Sequence, residues 1–542
     1  MKKHYIIAAL AILSMNASAT TSPDETVSNA KVMANAEDTE DDGTVVINGF
    51  KVNLSESSAT FDIRQIMSIE GEDLVVPYTL TYEGKEYHCD EVNMNNLCGE
   101  ISRDNGYKDV TITPNVKSVT FSEGIKTLKG SFPLCYCKKV ILPSTVESIK
   151  NTVFNYGVSA GYANDDEERG WWMKNYNINF MCFDLEEFIV DKNNAHYTTQ
   201  DGLLYTKDMK TLVSCPRNKK GIVVVPEGVE KLATGCFCIC NRITEIQLPS
   251  TLKSVGDPVG RYAGFYYCLN LEKINIPEGV EALTGCAFRY CVKLKSLTLP
   301  SSLKTLDVEY TEDGGYTRTD AVFGPMYSLE ELNLENTSIE VIEGKYNTTP
   351  FTDLPLVKNF KLPKNIRVLG DKALIGINPP AELHLPVTIE SLGEQFIDPF
   401  KKGNENSIYL SSCKQTESPL KDIYCYWTTP LEVSDKIFGY VKVKEDRKTK
   451  EVFPQDWANI CTLHVPTGTL SAYRANSVWG KFQNIVEFTP TSSIDAISDN
   501  TATNTNQGIY TLQGIRIADS KTQLDKLPSG IYIIDGKKVS VK

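Results

Sequence analysis

Apolar and polar positions alternate along this chain in one phrase that keeps returning. Its cleanest copy is LEKINIPEGVEALTGCAFRYCVKLKSLTLP, residues 271–300. Leu271, Ile274 and Ile276 share one side of a short strand, with Lys273 and Asn275 on the other. Pro277 ends the strand because it has no N–H to donate. A Glu-Gly turn follows, then apolar Val280 and Leu283, then Phe288 and Cys291, and Leu294 opens the next copy.

Counting from the last strand residue sets a register. Val225, Leu248, Ile276, Leu299, Leu362 and Leu385 each precede a proline, and seven positions later stand Leu232, Val255, Leu283, Leu306, Leu369 and Leu392. Leu142 with Ile149 fits the same rule, and Phe121 with Leu128 and Leu334 with Val341 fit without the proline. A repeat of 20–29 residues built on such strands is the mark of a leucine-rich-repeat solenoid. One unit cannot bury its own apolar face, but stacked units bury a continuous core. The expected fold is therefore a β-rich, curved leucine-rich-repeat solenoid with parallel strands.

The rest of the chain divides around that body. Residues 1–19 (MKKHYIIAALAILSMNASA) read as a signal peptide: two lysines, a short apolar run, and an A-x-A site that places cleavage after Ala19. Residues 20–43 are an acidic leader expected to be disordered, and 44–105 an N-terminal β cap. The solenoid is expected over 106–488, irregular over 399–460, with a closing unit at 461–488 in which Tyr473, Trp479 and Phe482 plug the core. Residues 489–506 form a polar linker, and 507–542 a small C-terminal β module placed to serve as an address or anchor. A variant coil at 185–216 carries Gln200-Asp201-Gly202, a hairpin signal. The exported chain is expected outside the cell or on its surface.

These motifs resemble the BspA-like leucine-rich-repeat family of bacterial surface proteins. The resemblance rests on the LPxxLxxL starts, the Phe-x-x-Cys approach to each strand, DGLLYTKD at 201–208, and the VPTGTLSAY closing unit. It covers roughly residues 70–488. The C-terminal GIYTLQGIRI…LPSGIYIIDGKKVSVK is similar to sorting domains of type IX secretion. The family resemblance implies a cell-surface or secreted protein that binds host or microbial partners, without naming a ligand.

Charge and chemistry narrow the function. A formal net charge of −13 with no basic run argues against nucleic acid or an anionic membrane as partner. No later stretch is long and apolar enough to span a membrane. Fifteen cysteines in an exported chain point at first to disulfides. The register points elsewhere. Cys182, Cys240, Cys268 and Cys291 fall three residues before a strand's first apolar residue, where other coils have Met326 and Leu354. A slot that takes Cys, Met or Leu is a buried apolar slot. The C-x-C spacings at 135/137, 236/238 and 238/240 suit zinc poorly. Histidines at 4, 88, 196, 384 and 464 are scattered, and no hydrolase, metalloprotease or phosphate-loop motif is present. We expect no catalysis, no metal and no cofactor.

Two surfaces remain for binding. The outward strand positions form a ladder: Thr120, Ile141, Ile189, Val224, Gln247, Asn275, Thr298, Asn333, Lys361 and His384. The second surface is a set of insertions that enter at one point of the repeat. They carry Tyr162, Trp171, Trp172 and Tyr176, then Tyr262, then Tyr310 and Tyr316, then Tyr346. Tyr and Trp among Gly, Asn and Asp supply rigid contact area with adaptable polar groups. Both surfaces point to an adhesin-like protein for host protein or glycan, or to a capture component for the bacterium's own surface polysaccharide or proteins.

Overall fold

A computed structural model describes residues 43–97, 116–155, 184–255, 264–311, 317–397, 420–437 and 461–490, with breaks at 131, 133–135, 151–152, 346–347 and 359. Beyond these it describes backbone strands within 101–109, 441–452 and 509–541. The expectations for the signal peptide and the leader fall outside the described residues.

Most coils contribute two short parallel strands, so two ladders run along the body. The first holds the proline-terminated strands. It is hydrogen-bonded in blocks: Asp73–Val76 with Ser118–Phe121, Lys139–Leu142 and Glu187–Val190, and later Gly221–Val224 with Ile243–Gln247 and Lys273–Ile274. Ser296–Thr298 pairs Glu331–Asn333, and the last block is Glu382–Leu385, Asp422–Cys425, Thr462–Pro466 and Asn484–Phe488. The second ladder holds the residues seven places on: Leu128 opposite Ile149, Leu232 opposite Val255, Leu283 opposite Leu306. The aliphatic residue that marks the period is thus the inward residue of a second strand.

One register assignment needs correction. After Leu334 the inward residue is Ile342, fully buried, while Val341 is 44% exposed. The turn here, Glu335-Asn336-Thr337-Ser338, lacks the proline and runs one residue longer, and a one-residue slip turns every side chain to the other face.

Glu-Gly turns join the two strands of several coils, Ser-Glu-Gly at 122–124 and Pro-Glu-Gly at 226–228 and 277–279. Gly124, Gly228 and Gly279 have φ of 106°, 99° and 105°, a region glycine enters without a Cβ clash. The preceding glutamate reaches into the next coil. Glu123 accepts from the N–H (2.9 Å) and hydroxyl (2.8 Å) of Ser144, Glu227 from those of Ser250 (3.0 and 3.0 Å), and Glu278 from those of Ser301 (3.0 and 2.9 Å). The hydroxyl that follows completes the clasp. Thr251 accepts from the Gly228 N–H (3.0 Å) and donates to the Val229 carbonyl (2.7 Å).

The core is built on a file of phenylalanines. Phe237, Phe265, Phe288, Phe323 and Phe351 follow one another with centroids 5.7, 5.2, 5.9 and 5.6 Å apart, all fully buried. Beside it runs the cysteine file. Cys268 donates its S–H to the Phe237 carbonyl (3.0 Å) and Cys291 to the Phe265 carbonyl (3.2 Å), both in the preceding coil. The slot is apolar, as its acceptance of Met326 and Leu354 implies, and cysteine adds a weak donor that those residues lack. All eleven cysteines among the described residues are buried free thiols.

Both ends of the solenoid differ from the regular coil. The ladders begin inside the segment read as a cap: Asp73–Val76 pairs Ser118–Phe121, and Glu91–Asn93 pairs Thr127–Lys129. Antiparallel strands Val45–Ile47, Phe50–Ser55 and Thr60–Ile66 precede them. Toward the other end, Asp422–Cys425 sits in ladder register within the segment read as irregular. Tyr473, Trp479 and Phe482 are fully buried, and the Tyr473 hydroxyl donates to the Trp427 carbonyl at 2.9 Å. The hairpin expected at 200–202 is present, Tyr197–Gln200 against Leu203–Thr206. Ile509–Thr511, Arg516–Ala518, Gly530–Ile534 and Lys537–Val541 form an antiparallel sheet.

Candidate binding face

Alternation in each first-ladder strand buries one set of side chains and presents the other. The outward set changes character along the body. Near the N-terminal end Val75, Thr120, Ile141 and Ile189 lie in one register row. Val75 is 55% and Ile189 38% exposed, and Ile222 and Val224 of the next block are 57% and 58% exposed. In the middle the row turns polar, with Gln247, Asn275, Thr298 and Asn333 all exposed.

The last block is aromatic. His384, Tyr424 and His464 occupy one row. Their rings stack at 4.5 Å and 4.1 Å, with interplanar angles of 9° and 12°. Tyr426 and Phe488 meet edge to face at 5.2 Å, and Phe488 meets Tyr424 likewise at 5.4 Å. The sequence placed His384 and His464 on opposite sides of an irregular segment with no reason to be neighbours. The structure puts Tyr424 of that segment between them.

Carboxylates orient both imidazoles. His464 Nε2 lies 2.8 Å from Asp422 Oδ1, and His384 Nε2 lies 3.7 Å from Glu382 Oε2, with His384 Nδ1 3.0 Å from the Tyr426 hydroxyl. Burial pulls His384 below its ordinary value, and the neighbouring Glu382 partly offsets that. Among the described residues no group of His, Cys, Asp and Glu side chains is arranged to hold a metal ion. Burial pushes the thiols of Cys137 and Cys238 up to about 12 and that of Cys215 well above the ordinary range, so these three make poor nucleophiles.

The insertion side is described at one place. The strand Thr305–Asp307 is followed directly by a hairpin, Glu309–Thr311 against Thr317–Thr319. This hairpin carries the backbone of Tyr310, opposite Arg318. Here the second ladder is split, because Thr305–Asp307 and Val341–Ile342 belong to different sheets. A groove of about 480 Å³ opens at the split, between Asp307, Glu340, Glu343 and Lys345. Lys345 spans it to Asp307 (3.8 Å) and Glu309 (3.0 Å), and the hydrogen bond to Glu309 holds its ammonium above its ordinary value. The other expected binding residues, Tyr162, Trp171, Trp172, Tyr176, Tyr262, Tyr316 and Tyr346, lie outside the described residues.

Residues 110–160 and 215–312 match the model of the BspA type leucine rich repeat region, in six copies. The fold is a curved leucine-rich-repeat solenoid. The chain is similar to a solved leucine-rich-repeat protein from Bacteroides ovatus at 14% identity, over 82% of this chain and 99% of that one, with a TM-score of 0.34. It is also similar to the pneumococcal vaccine antigen PcpA at 13% identity, over 83% of this chain and 98% of that one, with a TM-score of 0.29. A leucine rich cell surface protein from Faecalibacterium prausnitzii matches at 14% identity over 56% of this chain and 94% of that one, with a TM-score of 0.21. No curated protein matches the chain. No helix among the described residues is long and apolar enough to cross a membrane.

Proposed function

We propose that this chain is exported, held at the bacterial surface, and works there as an adhesin-like binding protein for host protein or glycan. The observation that carries the reading is the outward face of the first ladder. It offers exposed aliphatic side chains at one end and half-buried aromatic, imidazole and carboxylate groups at the other. Solenoids use such extended strand faces for partners. The core does not require these outward groups, since the same positions are plain polar residues in the middle coils. No catalytic motif in the sequence supports turnover, so binding is the reading. Residues 507–542 act as the surface address, and the insertion aromatics Trp171 and Trp172 supply a second contact region.

Binding of the mature chain from residue 20 to an array of glycans and extracellular-matrix proteins tests this. A host ligand is expected. Binding confined to the producer's own polysaccharide or surface proteins would replace the adhesin reading with a capture component. Turnover of any arrayed substrate would overturn both. The Trp171→Ala/Trp172→Ala variant separates the insertion side from the strand face. Deleting residues 507–542 is expected to abolish display without unfolding the solenoid, and normal display by that strain would remove the address reading.

A further inference from the structure

Resting on the binding-protein reading above, we propose that the outward face of the last ladder block is a binding site for a neutral saccharide. The block comprises Glu382–Leu385, Asp422–Cys425, Thr462–Pro466 and Asn484–Phe488. Register aligns two rows on this face. Glu382, Asp422, Thr462 and Asn484 form a polar row, and His384, Tyr424, His464 and Val486 form the row beside it. Tyr426 and Phe488 close the far side.

The rings are not there for the core. Leu383, Leu385, Ile423, Cys425, Leu463 and Val465 already fill the inward side of these strands, each 3% exposed or less. Middle coils put Gln247, Asn275, Thr298 and Asn333 at the outward position and still stack. Large aromatic groups left half-buried beside carboxylates call for something that covers them.

The chemistry selects the occupant. A sugar ring offers C–H faces to aromatic edges and faces, and paired hydroxyls to carboxylates and imidazoles. This face holds both kinds of partner within one ring's reach. The Asp422–His464 contact (2.8 Å) and the Glu382–His384 contact (3.7 Å) each give an acceptor next to a group that donates or accepts. Asn484 donates to Thr462 at 2.9 Å and extends the polar row. An anionic glycan is disfavoured, because the two rows carry two carboxylates and no lysine or arginine. An apolar peptide would leave the polar row covered and unpaired, which is costly.

The test uses the mature chain and soluble polysaccharides: a neutral glucan, mannan and galactan, beside heparin, polygalacturonate and polylysine, read by calorimetry. Glu382→Gln removes an exposed carboxylate, Tyr424→Ser removes the central ring, and Lys253→Ser, an exposed side chain off the first ladder, is the remote control. The expected result is binding of at least one neutral polysaccharide, weakened at least about tenfold by Glu382→Gln and by Tyr424→Ser and unchanged by Lys253→Ser. Circular dichroism checks each variant, and the exposed Glu382 keeps the test decisive if Tyr424→Ser is unstable. Neutral binding that survives both variants overturns the site. Preference for heparin, polygalacturonate or polylysine overturns the ligand class. Protein ligands on the array with no neutral saccharide overturn this inference and leave the binding-protein reading standing. Absence of any ligand overturns both.

Discussion

Glu278 and Ser301, one coil apart, are joined twice: the carboxylate accepts from the serine N–H at 3.0 Å and from its hydroxyl at 2.9 Å. Glu123 with Ser144 and Glu227 with Ser250 repeat the arrangement. The clasp explains why Glu-Gly in one coil is followed by Pro-Ser-Thr or Pro-Ser-Ser in the next. It also explains two of the 23-residue spacings, from 225 to 248 and from 276 to 299.

Glu278→Gln is expected to cost about 1 kcal/mol at this exposed site, because the amide oxygen still accepts from the Ser301 N–H while its NH2 can only donate to the hydroxyl. Ser301→Ala in the Glu278→Gln background should then cost less than in the parent, a coupling that a double-mutant cycle by chemical denaturation reads directly. The Ser301 N–H holds the Glu278 carboxyl below its ordinary value of 4.5, and Ser250 does the same for Glu227. The sign follows from linkage: this stabilisation is present above pH 4.5 and is lost as pH falls through the lower folded values. Additive costs for the two substitutions would show that the clasp carries no coupling.

Phe288→Ala should be the most damaging single change in the middle coils. Phe288 is fully buried between Phe265 and Phe323, and large-to-small changes of this kind cost about 3–5 kcal/mol. Coils of a solenoid contact only their neighbours, so hydrogen exchange should speed up first around residues 265–323 and later toward the ends. Uniform acceleration along the whole chain would contradict nearest-neighbour stacking.

Thiol reagents should find the described cysteines closed. All eleven are buried, and burial pushes Cys89 and Cys461 up to about 12. Peptide-resolved maleimide labelling at neutral pH is expected to be slow in the native chain and fast in denaturant. Rapid native labelling of Cys268 or Cys291 would show that the slot is not closed.

His384, whose ring stacks on Tyr424, should titrate below the ordinary value in an NMR pH series. His384 is held below the ordinary 6.5 by burial, with Glu382 opposing that shift and His464 adding to it. The unfolded chain therefore takes up this proton at higher pH than the folded one, so His384 costs stability as pH falls below 6.5. His384→Gln should remove that part of the pH dependence. A midpoint for His384 at or above 6.5 would refute the assignment.

The sequence by itself determined the repeat, its register in most coils, the cysteine slot and the burial of Tyr473, Trp479 and Phe482. Each of these is local: a proline ends a strand, a glycine turns the chain, and an apolar residue recurs at fixed spacing. Leu283 and Leu306 could be recognised as inward-facing without coordinates, and Gln200-Asp201-Gly202 as a hairpin. Tertiary structure decided what depends on pairing between distant coils. Ile342 rather than Val341 faces inward because the turn before it is one residue longer. Asp73–Val76 starts the first ladder, although a hairpin at Thr79–Tyr82 and Lys85–His88 separates it from its second-ladder strand Glu91–Asn93. Tyr424 comes to lie between His384 and His464, 40 residues from each, because a strand inside an apparently irregular segment docks in parallel register on both sides. Periodicity cannot place a strand whose coil is lengthened by insertion, since register across such a gap is set by hydrogen-bonded edges and buried side chains, not by counting.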